Sequence, residues 1–356
     1  MTPGEPPAHE LAAMARAREL GWSALGRTSP NPAVGAVVLD AAGQVVGEGA
    51  TQPPGGPHAE VGALTQAGER ARGGTAVVTL EPCNHTGRTG PCAQALLAAG
   101  VARVVVAVPE PTDLAQGGAR RLRDAGVDVV TGVEQAAAED GALAPWLTGV
   151  REHRPQVVWK VASTLDGRVA AADGTSRWIT GPVARAAVHR LRATCDAVLV
   201  GSGTVLTDDP QLTVRDDDGH DVAHQPLRVV LDRRGRVPAT ARVRDDAART
   251  HLSAAADPAA LLAELWALDV RRVLLEGGPT LAAAFLTAGL VDEVVLHLAP
   301  QLLGAGATLV GDLGITTMSQ ALQLETLDVT PLGRDVQVRL RPTRHTGGHT
   351  RTERGS

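Results

Sequence analysis

The chain has 356 residues, 44% hydrophobic and 21% charged, a balance that suits two ordinary globular domains and excludes wholesale disorder. A formal net charge of −5 gives it no overall attraction to polyanions, and with no Tyr and a single Phe it lacks stacking platforms for single-stranded nucleic acid. No apolar run reaches the ~18 residues of a membrane helix, the opening MTPGEPPAHE is not a secretory start, and three cysteines are too few for a disulfide scaffold. A cytoplasmic protein with reduced thiols is expected, with no nucleic-acid or membrane partner.

Apolar spacing predicts a helix from His9 to about Leu25, ended by Gly26. Strands follow at Ala33–Leu39 and Val45–Gly49, joined by a turn at Ala42-Gly43. Helices and strands then alternate: His58–Ala67, strand Ala76–Leu80, Cys92–Ala99, strand Val104–Val108, Gly117–Ala125, strand Val127–Val130. This alternation predicts an α/β layer with a largely parallel sheet. The stretch LTGVREHRP, from Leu147 to Pro155, turns charged and ends in proline, predicting a linker over 149–155 between domains at 1–148 and 156–342.

The second half repeats the pattern, with strands at Val157–Ala162, Ala197–Gly201, Leu227–Asp232, Arg272–Glu276 and Glu293–Leu298. Its helices Pro182–Ala193, Pro258–Trp266 and Pro279–Ala288 each open on a proline, which the first helical position tolerates. A strand pair at Gln323–Val329 and Val336–Leu340 closes the domain, and the polar residues 343–356 are expected to be a disordered tail.

Chemistry concentrates in the first half. His58-Ala59-Glu60 opens a predicted helix, Glu81-Pro82-Cys83 follows a strand, and eight residues separate Cys83 from Cys92. An imidazole and two thiolates make a three-ligand zinc site with a fourth position left for water, the catalytic rather than the structural arrangement. Zinc lowers the pKa of such a water toward ~7. Glu60 is placed to shuttle protons, because nucleobase deaminases pair H-x-E with P-C-x-x-C and use the glutamate as general acid and base. Here the spacing between the cysteines is longer. Cys195, with no metal-binding neighbour, reads as core filler.

The segments SPNPAVGAVV, HAE and VTLEPCNHTGRTGPC resemble the deaminase half of bifunctional riboflavin-biosynthesis proteins. KVASTLDGRVA, SRWITGP, VGSGTVLTDDPQLTVR and EGGPTLAAAFL resemble their reductase half, so the likeness spans residues 9 to 341. It implies a cytidine-deaminase-like α/β/α domain followed by a dihydrofolate-reductase-like α/β domain. It also implies zinc and NADPH as cofactors and a phosphorylated pyrimidine as substrate; a homo-oligomer is expected. By resemblance Asn31 holds the pyrimidine ring, while His85 and Arg88 belong to a loop, Asn84–Thr89, that faces the sugar or phosphate. A guanidinium suits phosphate there. Ala33, Asn84 and Gly90 depart from the family's Asn, Ser and Pro, and Glu110-Pro-Thr-Asp113 stands where Asp-Pro-Asn-Pro is usual.

No G-x-G-x-x-G follows the first strand of the second half, which disfavours a Rossmann domain. Gly-rich segments at Gly201–Thr204 and Gly277–Leu281 instead follow strands, and the second leads into a helix whose N-terminus suits a pyrophosphate. The resemblance carries Ala162, Trp178, Thr204, Asp208 and Gly278, Pro279, Thr280, Leu281, Ala282, Ala283 and Ala284 over as the cofactor's lining. Ser176, Arg192, Leu212, Arg215 and Glu276 would contact substrate. Lys160 and Asp208 are the polar groups nearest the chemistry. Arg233 replaces a small hydroxyl residue of the family, and Arg233 or Arg234 is expected to pair with the 2′-phosphate. Two other readings are a deaminase whose second domain is a mere binding module, tested by substrate-dependent NADPH oxidation, and a structural zinc protein, which would need a fourth protein ligand.

Overall fold

The computed structural model describes residues 6–85 and 90–343. Arg88, and the expected tail beyond Thr343, lie outside the described residues.

The first half contains α1 (Ala8–Ala24), β1 (Gly35–Leu39), β2 (Val45–Ala50), α2 (Ala59–Ala67), β3 (Thr75–Leu80), α3 (Cys92–Ala99), β4 (Arg103–Val108), α4 (Gly118–Asp124), β5 (Asp128–Thr131), α5 (Gln135–Glu139) and α6 (Ala144–Glu152). Its sheet runs β2-β1-β3-β4-β5. Only β3, β4 and β5 are parallel; β1 is antiparallel to both β2 and β3, so the sheet is mixed rather than largely parallel. The short turn between β1 and β2, with Gly43 at φ +80°, forces that reversal. All of β1, and all but the first residue of β3 and β4, are buried, as strands covered on both faces must be.

The second half contains β6 (Gln156–Thr164), α7 (Pro182–Ala193), β7 (Ala197–Gly201), α8 (Ser202–Asp208), β8 (Leu227–Leu231), β9 (Thr250–Ser253), α9 (Pro258–Ala267), β10 (Arg272–Leu275), α10 (Pro279–Thr287), β11 (Glu293–Ala299), β12 (Leu324–Leu332) and β13 (Asp335–Pro342). The eight-stranded order is β12-β13-β11-β6-β10-β7-β8-β9. It is parallel from β11 to β9, while β12 and β13 form an antiparallel edge.

Residues 149–152 of the expected linker are helical, since α6 runs to Glu152. Leu147 and Gly149 are buried, and a Cβ on Gly149 would come within 2.8 Å of the Trp266 ring in α9. Charge at Arg151 and Glu152 hid a helix whose inner face is packed. The Gly201–Thr204 segment is also more regular than a turn, entering α8 directly.

The first half docks on the amino ends of the parallel strands of the second. Ser29 Oγ donates to Asp196, which precedes β7, at 2.8 Å, and His224, before β8, bonds the Gly26 carbonyl at 2.7 Å. The Asp196 carboxylate also takes the backbone N–H groups of Arg271 and Arg272, each at 2.8 Å. Arg272, the first residue of β10, stacks on Trp22 of α1.

Candidate active sites

In the first half, β3 and the starts of two helices bring the metal-binding side chains together. His58 is the N-cap of α2 and Cys92 the first residue of α3, while Cys83 follows β3 by way of Glu81-Pro82. His58 Nδ1 lies 3.7 Å from Cys83 Sγ and 3.3 Å from Cys92 Sγ, and the three donor atoms all fall within 4.8 Å of one another. Zn–S and Zn–N bonds of about 2.3 and 2.0 Å put the donors of a tetrahedral site about 3.5–3.8 Å apart, so this set fits zinc. The Cys92 N–H donates to Cys83 Sγ at 3.4 Å. Bonding to Cys92, then to His58, drives the Cys83 thiol down to about 4. The shared bond and burial push Cys92 up.

Glu60, in the first turn of α2, is 5% exposed, and burial raises its carboxyl above the usual range. It lines a cavity of about 480 Å³ together with Asn31, His58, Cys83, His85 and Trp146. The His85 Nδ1 is buried and has no hydrogen-bond partner among the described residues. The sequence reading missed Thr51, Glu81, Leu114 and Trp146 in this lining, and noted Glu110 only as a departure. Glu81 accepts the N–H groups of Glu110 (3.2 Å) and Ala119 (2.9 Å), tying the strand that delivers Cys83 to the loop after β4. Burial raises the Glu110 carboxyl as well. Trp146 carries no local signal, because the fold alone returns α6 to the cavity.

The second site gathers at the carboxyl ends of the parallel strands, the usual ligand crevice of an open α/β sheet. Lys160 projects from β6, and Glu276 follows β10. Arg192 from α7 grips both Glu276 oxygens at 2.6 and 2.8 Å and donates to the Thr213 carbonyl at 2.9 Å. Burial alone would raise the Glu276 carboxyl, but Arg192 more than offsets it and the net shift is down. Burial lowers the Lys160 ammonium. His189 Nδ1 accepts the Arg215 N–H at 3.1 Å. His297, unnoticed in the sequence, is 1% exposed beside this group.

Gly278 is the N-cap of α10 and has no side-chain cap; a Cβ there would meet nothing within 4 Å. An open, uncapped helix start next to the strand ends fits a dinucleotide pyrophosphate. Gly278, Thr280 and Ala284 are exposed, but Ala282 is fully buried and Ala283 nearly so, which leaves the segment only backbone to offer at those two positions. Leu212 is likewise buried in the core, at φ +60°. Trp178 is 65% exposed, beneath the Arg185 guanidinium at 4.4 Å from its ring centre, and Arg177 donates to the Asp208 carbonyl. Ser176 and Thr204 are half-buried nearby in sequence, and Ala162 lies on β6 in register with His297. Arg215 pairs with Asp221 at 3.5 Å, and Arg233 and Arg234 are exposed just past β8. Cys195 is buried in the core, as a filler should be.

Residues 8–108 match the cytidine and deoxycytidylate deaminase zinc-binding region, and residues 155–338 match the RibD C-terminal domain. The riboflavin biosynthesis protein RibD of Mycobacterium tuberculosis is 48% identical over 330 residues, covering 92% of this chain and 96% of the relative. That of Escherichia coli is 41% identical, covering 92% and 98%. Among solved structures, Acinetobacter baumannii RibD superposes with a TM-score of 0.85 at 41% identity, covering 94% of this chain and 99% of that one. A deaminase/reductase from Thermotoga maritima gives 0.86 at 34% identity with the same coverage. No described helix is long and apolar enough to cross a membrane. A metal cradle in a deaminase domain and a reductase domain behind it, matched along nearly the full chain, place this protein in the RibD family of bifunctional riboflavin-biosynthesis enzymes, which work with zinc and NADPH.

Proposed function

We propose that the first site hydrolyses an amino group from 2,5-diamino-6-(5-phosphoribosylamino)pyrimidin-4-one. The second then reduces the ribosyl group of 5-amino-6-(5-phosphoribosylamino)uracil to ribityl. The observation that carries this reading is the clustering of His58, Cys83 and Cys92 around a cavity that also holds a buried Glu60. The Thermotoga maritima protein, described as a deaminase and reductase for these pyrimidines, supplies the substrate class.

Zinc held by His58, Cys83 and Cys92 supplies a water acidic enough to act as nucleophile at neutral pH. Glu60 takes the proton of the attacking water and delivers it to the departing amine, a task suited to a carboxyl raised by burial. Asn31 holds the ring and His85 meets the ribose phosphate, a role that the family likeness gives to Arg88 as well.

In the second site NADPH supplies the hydride, so the protein's share is orientation. The start of α10, with Gly278 to Ala284, Ala162, Trp178, Thr204 and Asp208, lines the cofactor. Lys160, Ser176, Arg192, Leu212, Arg215 and Glu276 surround the substrate, with Leu212 and the Arg192–Glu276 pair shaping the wall. Arg233 or Arg234 meets the 2′-phosphate. The protein works in the cytoplasm as a homo-oligomer; the exposed edge of β12, with Leu324 and Val329, and the neighbouring Met318 offer an apolar surface for self-association.

The test is an assay with the ribosylated diaminopyrimidinone phosphate, following ammonia and NADPH together. Release of ammonia followed by NADPH oxidation supports the reading; NADPH oxidation without ammonia, or neither, refutes it.

A further inference from the structure

We infer that His297 is a positioning residue of the reductase site, its Nδ1 accepting a hydrogen bond from the Lys160 ammonium when substrate is seated. The inference rests on the reading that Lys160 and Glu276 face the substrate.

Strand alternation sets the geometry. Val158 on β6, Leu274 on β10 and Val295 on β11 belong to one core cluster. Two residues further along each strand, Lys160, Glu276 and His297 continue the same face. Val295 is the strand partner of Lys160, and His297 pairs two residues on, with Ala162, so His297 is the diagonal neighbour of Lys160.

Both groups lack a partner. Arg192 occupies both Glu276 oxygens, and among the described residues the Lys160 ammonium makes no hydrogen bond or ion pair. His297 Nε2 lies 3.1 Å from the Gln337 side-chain oxygen, which can only accept, so Nε2 carries the proton and Nδ1 is a bare lone pair. That Nδ1 is buried without a partner among the described residues. The groups facing His297 are Lys160 from β6, Glu276 from beyond β10, and Asp335 and Gln337 from β13. Glu276 and Asp335 are carboxylates and Gln337 already presents its oxygen to Nε2, so among these groups Lys160 is the cationic donor open to Nδ1. Polar links in active sites are often long before substrate arrives and tighten in the complex.

Three variants of the full chain test this, each assayed for both activities. Gln at 297 keeps a polar group near the Nε2 position but none near Nδ1; Asn does the reverse. His297→Gln is expected to lower reductase kcat/KM for the pyrimidine about 10- to 100-fold, the cost of misaiming a reacting group. The KM for NADPH and the deaminase rate should stay put. The alkaline limb of the reductase profile should move to lower pH, because an acceptor on an ammonium favours its charged form. His297→Asn should restore both rate and profile. Equal behaviour of the two variants, or an unmoved limb in His297→Gln, overturns the inference. Lys160→Met separates the premise: if it leaves reduction intact, the placement of the substrate is wrong, whereas if only His297→Gln is silent, His297 alone has been misassigned.

Discussion

Arg192 and Glu276, 84 residues apart in the chain, meet in a two-bond ion pair that closes one wall of the reductase crevice. Each group is largely enclosed by protein. Breaking one side of such a pair strands the other charge. Glu276→Leu is therefore expected to destabilise the reductase half by about 3–5 kcal/mol, read from urea unfolding. Stability within error of wild type would mean that the pair is wetter than its geometry says.

Glu60→Gln keeps the size of the side chain and removes the proton acceptor. Ammonia release should fall by about 10²–10⁴-fold, the usual worth of a positioned acid–base group. Zinc content and reduction of the deaminated substrate should not change. Turnover close to normal would remove Glu60 from proton transfer.

Removing the metal should split the two activities. Chelation, or Cys83→Ser, is expected to abolish deamination and release about one zinc per chain, since three protein ligands hold it. NADPH oxidation with the deaminated pyrimidine should continue. If chelation stopped both reactions, zinc would also be serving the second half.

Arg233 and Arg234 stand exposed and unpaired among the described residues, at the carboxyl end of β8. The double change to Ala is expected to lower the preference for NADPH over NADH in kcat/KM by about 10-fold or more, the loss of one or two charge-assisted bonds to phosphate. An unchanged preference would place the 2′-phosphate elsewhere.

His297 makes stability depend on pH. Burial, and then the nearby Lys160, hold its imidazole down at about 4 against an ordinary 6.5. Above pH 6.5 both folded and unfolded chains keep it neutral. As pH falls from 6.5 towards 4 the unfolded chain gains a proton that the folded one refuses, so stability is lost through that window, by about 3 kcal/mol in all. The difference in unfolding free energy between wild type and His297→Gln should shift by that amount between pH 7.5 and 4. A flat difference would show that His297 titrates freely.

The element pattern was legible because strands covered on both faces read as apolar runs and helices opened on proline or ended on glycine. The metal ligands and Glu60 were legible because all four sit within a few residues of a helix start or strand end. What stayed hidden is what chain-distant packing supplies. Trp146 reaches the deaminase cavity only because α6 folds back, and the helix itself was masked by Arg151 and Glu152 on its outer face. His297 is one polar residue in an otherwise apolar strand, and only the pairing of β11 with β6 gives it a neighbour to serve. Ala282, Ala283 and Leu212 show the converse: family motifs mark the segment near a ligand, not which of its side chains point inward to the core.

The deaminase half sits at the amino ends of β7, β8 and β10, and the reductase crevice opens at their carboxyl ends. From Gln156 to Lys160 alone β6 spans about 13 Å, and Val158, Val198 and Val230 fill the interior there. Within one chain the packed sheet therefore offers no direct passage from the first pocket to the strand ends where the second site gathers, and joining the two catalysts in one chain fixes their dosage at one to one.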